Sequence, residues 1–380
     1  MILLGETYFF IWLVILALPA IYLGVKEKNI KYYGFFTSVV FALLAIGCNY
    51  MSGVYLILFC VFQLLLAKTT TAFVAKVGRT RLMFWIPLLL AILPLCLYKV
   101  STFINLSILG FIGISYLTFK AVQVIIEIYD GLITEIKAFD YLYFLIFFTC
   151  LSSGPIDRSR RFNQDLNYVL PKSDYLDRVG TGLLYIMTGA TYKFCFAALL
   201  YQAVSFANNY NLWWATIAYM YSYGLYLFFD FAGYSKMAVG ISYIFGIGTP
   251  DNFNKPFAST DMKDFWNRWH ITLSNWFRDF LFSRFMMASI RGKWFNDNLV
   301  GASIAFIINM LVMGIWHGIG INFILYGLYH GVLLSVTEIY QKKSKFYKKY
   351  KKNTIYKLVS WFLTFNFVMF GFLIFSGKII

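Results

Sequence analysis

Three histidines are the entire imidazole complement of this 380-residue chain: His270, His317 and His330. An imidazole titrates near physiological pH, so it is the side chain best suited to accept or donate a proton there. His317 and His330 lie in "GIWHG" (314–318) and "GLYHG" (327–331), inside the formally uncharged stretch 298–336. Glycines at that spacing let helices approach closely, which accounts for the glycines and leaves the histidines unexplained. An imidazole in an apolar span must find a partner or face a cavity, so function is the default reading there. His317, between Trp316 and Gly318 at an expected break in its helix, is read as a functional rather than a packing residue. His330 lies deeper in its own run, where Tyr329 or nearby backbone is expected to satisfy it as a packing histidine.

His270 belongs to "DFWNRWHITLSNWFRDFLFSRF" (264–285), which also holds three Trp, three Arg and two Asp. On a helix of 3.6 residues per turn, Trp266, Trp269, Leu273, Trp276 and Phe280 form one apolar stripe, with Phe265 and Phe277 beside it. Asp264, Arg268, Asn275 and Asp279 lie opposite, and Asn267, His270, Ser274 and Arg278 make a polar flank between the two faces. Asp264 and Arg268 are an i, i+4 pair of favourable orientation. Arg and Asp at bilayer depth cost at least ~2.5 kcal/mol each unless paired or watered. A helix in the interface, or one lining a wet cavity, is therefore expected rather than a span. A membrane-surface anchor with no chemistry would show the same three zones.

Other chemistries lack their residues. No G-x-S-x-G elbow and no Ser/His/Asp order suggests a covalent serine intermediate. No metal cluster and no phosphate-cradling glycine loop is visible, so neither a metal nor ATP is expected on this chain. Cys48, Cys60, Cys96, Cys150 and Cys195 are scattered singly in or beside apolar runs and are expected to be small apolar fillers.

The elements that must position these residues are membrane helices. Sixty per cent of residues are hydrophobic and 13% charged. Apolar runs recur at 7–24, 32–48, 51–67, 82–98, 104–126, 182–205, 211–229, 298–316, 319–340 and 357–377. A bilayer core of ~30 Å takes ~20 apolar residues of helix, so these runs predict an all-α integral membrane protein. The first run lacks a basic n-region and is followed by more spans, so it is expected to be a first span and not a cleaved signal peptide. The net charge of +16 sits between the spans, which points to topology and away from nucleic acid. "KEKNIK" (26–31), "KTTTAFVAKVGRTR" (68–81), "DRSRR" (157–161) and "KKSKFYKKYKK" (342–352) are expected on the cytoplasmic side, with the N-terminus outside. The seven lysines of 342–352 serve that topology, and they also suit anionic membrane lipid. The run 141–153 is short for a span and ends in "SSGPIDR", which predicts a re-entrant or tilted half-helix. No repeat and no soluble linker interrupts the chain, so residues 1–380 are expected to form one polytopic membrane domain.

"DFWNRWHITLSNWFRDFLF", "GIWHG", "SSGPIDR" and "LFFDFAGYSKMAVG" (227–240) together resemble the membrane-bound O-acyltransferase family. "GISYLTFKAVQVIIEIYDG" (113–131), "DNFNKPFASTDMKDFWNRWH" (251–270) and "FLTFNFVMFGFLIFSG" (362–377) extend that resemblance over nearly the whole chain, to the branch that D-alanylates teichoic acid in Gram-positive bacteria. The resemblance implies about 10–11 transmembrane helices, with re-entrant or interfacial helices, in a ring around a central tunnel in the cell membrane. It maps the family's two histidines onto His317 and His270, and makes Asn267, Arg268, Trp269, Ser274, Arg278 and Trp316 residues of the tunnel wall. It implies as donor the phosphopantetheine thioester of a D-alanyl carrier protein, as acceptor a teichoic acid, and as partners other membrane components of D-alanylation. His270 would then orient the acyl group or hydrogen-bond the developing oxyanion. Two alternatives stay open: an O-acetyltransferase of an exported polysaccharide, and a polytopic transporter or flippase, for which paired breaks in two halves would be expected.

Overall fold

The computed structural model describes residues 7–47, 49–103 and 110–380. Cys48 and the opening of the run 104–126 lie outside them. Helix is the only regular element among the described residues. Their contacts gather into two compact units, residues 1–189 with 234–250, and residues 190–233 with 251–380.

In the first unit lie α1 (Thr7–Val25), α2 (Lys31–Ile46), α3 (Tyr50–Val77), α4 (Arg81–Phe103), α5 (Ile114–Tyr129), α6 (Ala138–Ile146), α7 (Ser159–Asn167) and nearly all of α8 (Lys172–Ala190). Helix α5 is its core, buried without interruption from Leu117 to Ile128. Its polar residues serve the segment that follows. Lys120 Nζ donates to Phe144 O (3.0 Å) and Leu145 O (3.1 Å), satisfying carbonyls that the end of α6 leaves free. Gln123 Nε2 donates to Asp157 O at 3.0 Å, and Ser159 Oγ to Glu127 Oε2 at 2.7 Å. Asp157, itself buried, pairs with Arg161. The expected half-helix is present: α6 spans nine residues, a 3-10 turn follows at Phe148–Cys150, and the chain then runs irregularly to Arg158. Protein covers that irregular backbone, the condition under which bilayer-depth chain can lack helix.

The second unit opens with a π-helical turn, Thr191–Ala197, that continues α8 into α9 (Ala198–Asn208). The first part of α10 (Trp213–Ile244) follows, then α11 (Met262–Trp266), α12 (Ile271–Phe277), a π turn at Arg278–Phe282, and α13 (Ser283–Gly292). It closes with α14 (Asn298–His317), α15 (Ile321–Lys343), the short α16 (Lys345–Tyr350) and α17 (Thr354–Ser376). The antiparallel pair α14 and α15 packs backbone to backbone. A Cβ on Gly314 would stand 2.3 Å from Phe323 O, one on Gly327 2.5 Å from Met310 O and one on Gly331 2.8 Å from Ile307 Cα, so these three glycines of the G-x-x-x-G motifs serve the close approach expected of them.

Seven helical stretches among the described residues are long and apolar enough to cross a bilayer. They coincide with seven of the ten apolar runs. The others differ for visible reasons: α2 and α5 have 16 residues each, about 24 Å at 1.5 Å per residue, and α10 is rich in Tyr and Trp, whose polar groups lower its hydropathy. Cys60 and Cys150 are buried, Cys96 and Cys195 exposed, and all four are free thiols.

Candidate active site

Both proposed site histidines belong to the second unit. Asp261 caps α11, accepting from Lys263 N and Asp264 N at 2.9 Å, and Arg268 Nε donates back to Asp264 Oδ1 at 2.7 Å. The helix ends after five residues. Arg268 N and Trp269 N both donate to Phe265 O, His270 takes a left-handed backbone (φ 44°, ψ 52°), and α12 starts at Ile271. The stretch 264–285 is therefore not the single three-faced helix that its periodicity predicts. The cause is tertiary. Asn252 O accepts from Ile271 N (2.9 Å), Asn252 Oδ1 accepts from Thr272 Oγ1 (2.5 Å), and Arg268 O accepts from Asn254 N (3.0 Å). These bonds replace the intrahelical ladder across the turn. A left-handed non-glycine residue costs on the order of 1 kcal/mol or more and persists only where its surroundings over-determine it.

The turn buries His270 to 3% exposure, with the edge of the Phe231 ring 4.7 Å away between centroids. Its Nδ1 is buried without a hydrogen-bond partner. Burial pushes its pKa down to about 3, and the charge that His317 can carry acts in the same direction. His270 is therefore neutral at physiological pH, with one ring nitrogen donating and the other accepting. Trp269 is buried in an aromatic cage made by Phe253 (5.1 Å), Phe265 (5.6 Å) and Phe372 (4.8 Å). Ser274 Oγ donates to Trp269 O at 3.2 Å, bracing the turn from α12.

His317 is the last residue of α14 and half-buried, and the chain leaves the helix through extended Gly318. The break expected at this histidine is present. Around its ring stand Trp316 (4.6 Å), Phe375 of α17 (5.2 Å) and Tyr326 of α15 (6.3 Å). Its influence on His270 means that residues 47 positions apart stand in each other's electrostatic field. Asn267 and Arg278, by contrast, are exposed, and Arg278 Nε donates to Asp279 Oδ1 at 3.1 Å. Only Trp269, His270 and Ser274 of the 267–278 set join in the buried turn, while Arg268 is engaged with Asp264.

His330 is fully buried, ringed by Trp266 (5.3 Å), Tyr326 (4.6 Å) and Tyr329 (5.3 Å). The expected partner is otherwise engaged: Tyr329 Oη donates to Phe367 O at 3.0 Å, and neither ring nitrogen of His330 has a hydrogen bond. Asn252 and Phe231 are the site residues that pattern reading missed. Neither stands at a helical spacing from the histidine it serves.

The described residues thus form a polytopic helical membrane protein whose second unit holds all three histidines. Comparison with known proteins narrows this class. The sequence model of the MBOAT, membrane-bound O-acyltransferase family matches residues 73–376. A protein of Bacillus subtilis (strain 168) named teichoic acid D-alanyltransferase is 41% identical over 382 residues, covering 97% of this chain and 96% of that protein. Its namesake from Streptococcus thermophilus (strain ATCC BAA-250 / LMG 18311) is 40% identical over 395 residues, covering 98% and 94%. A peptidoglycan O-acetyltransferase of Helicobacter pylori (strain ATCC 700392 / 26695) is 31% identical over 254 residues, 63% of this chain and 44% of that protein. This chain belongs to the membrane-bound O-acyltransferase family and is a multi-pass membrane acyltransferase.

Proposed function

We propose that the chain transfers D-alanine from the phosphopantetheine thioester of a cytoplasmic D-alanyl carrier protein, across the membrane, for D-alanylation of teichoic acid. The observation that carries this reading is similarity through 96% of a protein named for that reaction, against 44% of one named for O-acetyl transfer. His317 is the base. It takes the proton from the acceptor hydroxyl as the oxygen attacks the thioester carbonyl, the carbon–sulfur bond breaks, and the proton passes to the departing thiolate. His270, neutral through burial, donates a hydrogen bond to the oxyanion that forms in between, or orients the acyl group. Trp316 stands beside His317, Trp269 and Ser274 hold the turn that carries His270, and Asn267, Arg268 and Arg278 lie outside that turn. The phosphopantetheine arm comes with the carrier, and no cofactor or metal is asked of this chain. Carrier proteins of this kind are acidic, which suits the lysines of 342–352 and makes the encounter weaken with salt. Other membrane components of D-alanylation would receive or relay the acyl group.

The test is transfer of labelled D-alanine from loaded carrier by the purified protein in liposomes, with an acetyl-loaded carrier in parallel. Transfer of D-alanine, lost in His317→Ala at equal protein level, is expected. Transfer of acetyl alone would replace this reading with the O-acetyl one.

A further inference from the structure

One turn of α10 faces two ways. Phe228 lies against Phe257 (5.0 Å) and Trp269 (6.2 Å), and Phe231 against Phe253 (5.1 Å) and His270 (4.7 Å). Between them in sequence, Phe229 lies against Tyr192 (5.2 Å) and Phe196 (5.1 Å), and Asp230 forms an ion pair with Lys193. Tyr192, Lys193 and Phe196 all belong to the π turn Thr191–Ala197, which interrupts the apolar stretch Lys172–Asn208. Periodicity offered no sign of this turn, and the site as described gives Lys193 and Asp230 no task.

Three independent features meet here. Charged residues inside spans are costly and survive where they pair or serve function. A π turn inside an α-helix recurs at functional sites and shifts the residues beyond it around the helix axis, here bringing a lysine to an aspartate. The four residues 228–231 connect that pair to the two aromatic contacts that seat the Trp269–His270 turn. Apolar side chains can slide past one another with little penalty, whereas an ion pair whose side chains are mostly shielded from solvent, 10% and 27% exposed, favours one registration.

We propose that the Lys193–Asp230 pair is a positioning element that sets the rotation of α10 and, through Phe228 and Phe231, the place of His270. The idea rests on the acyl-transfer reading for its kinetic consequence and on geometry alone for its structural one. Both residues act through others and touch no substrate.

The experiment compares the parent with Asp230→Asn, Lys193→Met and the exchanged pair Lys193→Asp/Asp230→Lys, all at equal protein level. In D-alanyl transfer, the two single variants are expected to lose about 10- to 100-fold in kcat with KM for the carrier unchanged within about two-fold, as a displaced catalytic group does. The exchanged pair should recover most of the loss. Separately, modification by diethyl pyrocarbonate is mapped by mass spectrometry. His270 should react several-fold faster in Asp230→Asn while His330, its internal reference, is unchanged. A well-expressed Asp230→Asn protein with parental kcat and parental His270 reactivity would overturn the proposal, as would an equal rise at His270 and His330, which signals general loosening. A parent that transfers no D-alanine leaves the reactivity ratio to decide the positioning role by itself and overturns the functional reading instead.

Discussion

"GIWHG" and "GLYHG" differ in two residues of five, yet their histidines have opposite fates. His317 ends its helix, half-buried, with aromatic rings around it and His270 in its field. His330 lies ten residues into α15, fully enclosed, its nitrogens unpartnered. Gly314, Gly327 and Gly331 bring α14 and α15 together, while Gly318 lies just past the end of α14. What separates the histidines is the position of the helix end. At a terminus the backbone turns away and the ring stays half-buried, whereas in mid-helix the ring is enclosed by α11, α15 and α17. A motif therefore specifies packing more firmly than it specifies chemistry.

Substitutions at the two histidines test that contrast. His317→Ala should leave protein level unchanged and lower D-alanyl transfer by about 10²–10⁴-fold, the usual contribution of a general base. An active, abundant His317→Ala protein would remove the contrast altogether. At the other motif, His330→Ala should lower abundance and cost about 2–4 kcal/mol of stability through the cavity it leaves. His330→Phe, which keeps a ring and deletes two unpartnered nitrogens, should retain both abundance and activity within about three-fold. An abundant but inactive His330→Phe protein would move His330 into the chemistry.

A smaller effect is expected from the glycine that seats His330. A Cβ on Gly371 would stand 2.4 Å from His330 Nε2, so Gly371→Ala should destabilise by about 1–3 kcal/mol. Adding His330→Ala should relieve that loss, and strict additivity of the two would show that the contact does not matter. The smallest effect belongs to His270. Its folded pKa, about 3, lies below the unfolded value, so the unfolded chain binds the proton first. The stability from neutral His270 is complete above about pH 6.5 and falls by about 1.4 kcal/mol for each pH unit below it. Thermal midpoints in detergent at pH 7.5 and 5.5 should therefore fall further for the parent than for His270→Gln, and equal falls would show that His270 is not buried neutral.

Much of this protein was legible in its residues because membrane helices declare themselves through length and hydropathy. Seven runs became spanning helices, α6 ended at Ile146 ahead of the irregular Ser-Ser-Gly-Pro segment, and α14 ended at His317 as its glycine implied. The 264–285 stretch was harder. Its apolar stripe is legible in the spacing, and Trp266, Trp269, Leu273 and Trp276 of that stripe are buried. Its secondary structure was misread, because hydrophobic period records which residues avoid solvent and is silent on where the chain turns between them.

Sequence alone determined the solvent this chain expects, the lengths of its spans and the identity of its ionisable residues, since each follows from the transfer free energy of side chains taken one at a time. Tertiary structure decided the rest. Hydrogen bonds from Asn252 and Asn254 broke a helix and turned His270 inward, the π turn carried Lys193 to Asp230, and Tyr329 spent its hydroxyl on Phe367 rather than on His330. Each of these is a choice between partners distant in the chain, and a competition of that kind is settled only when the competing groups are brought within reach.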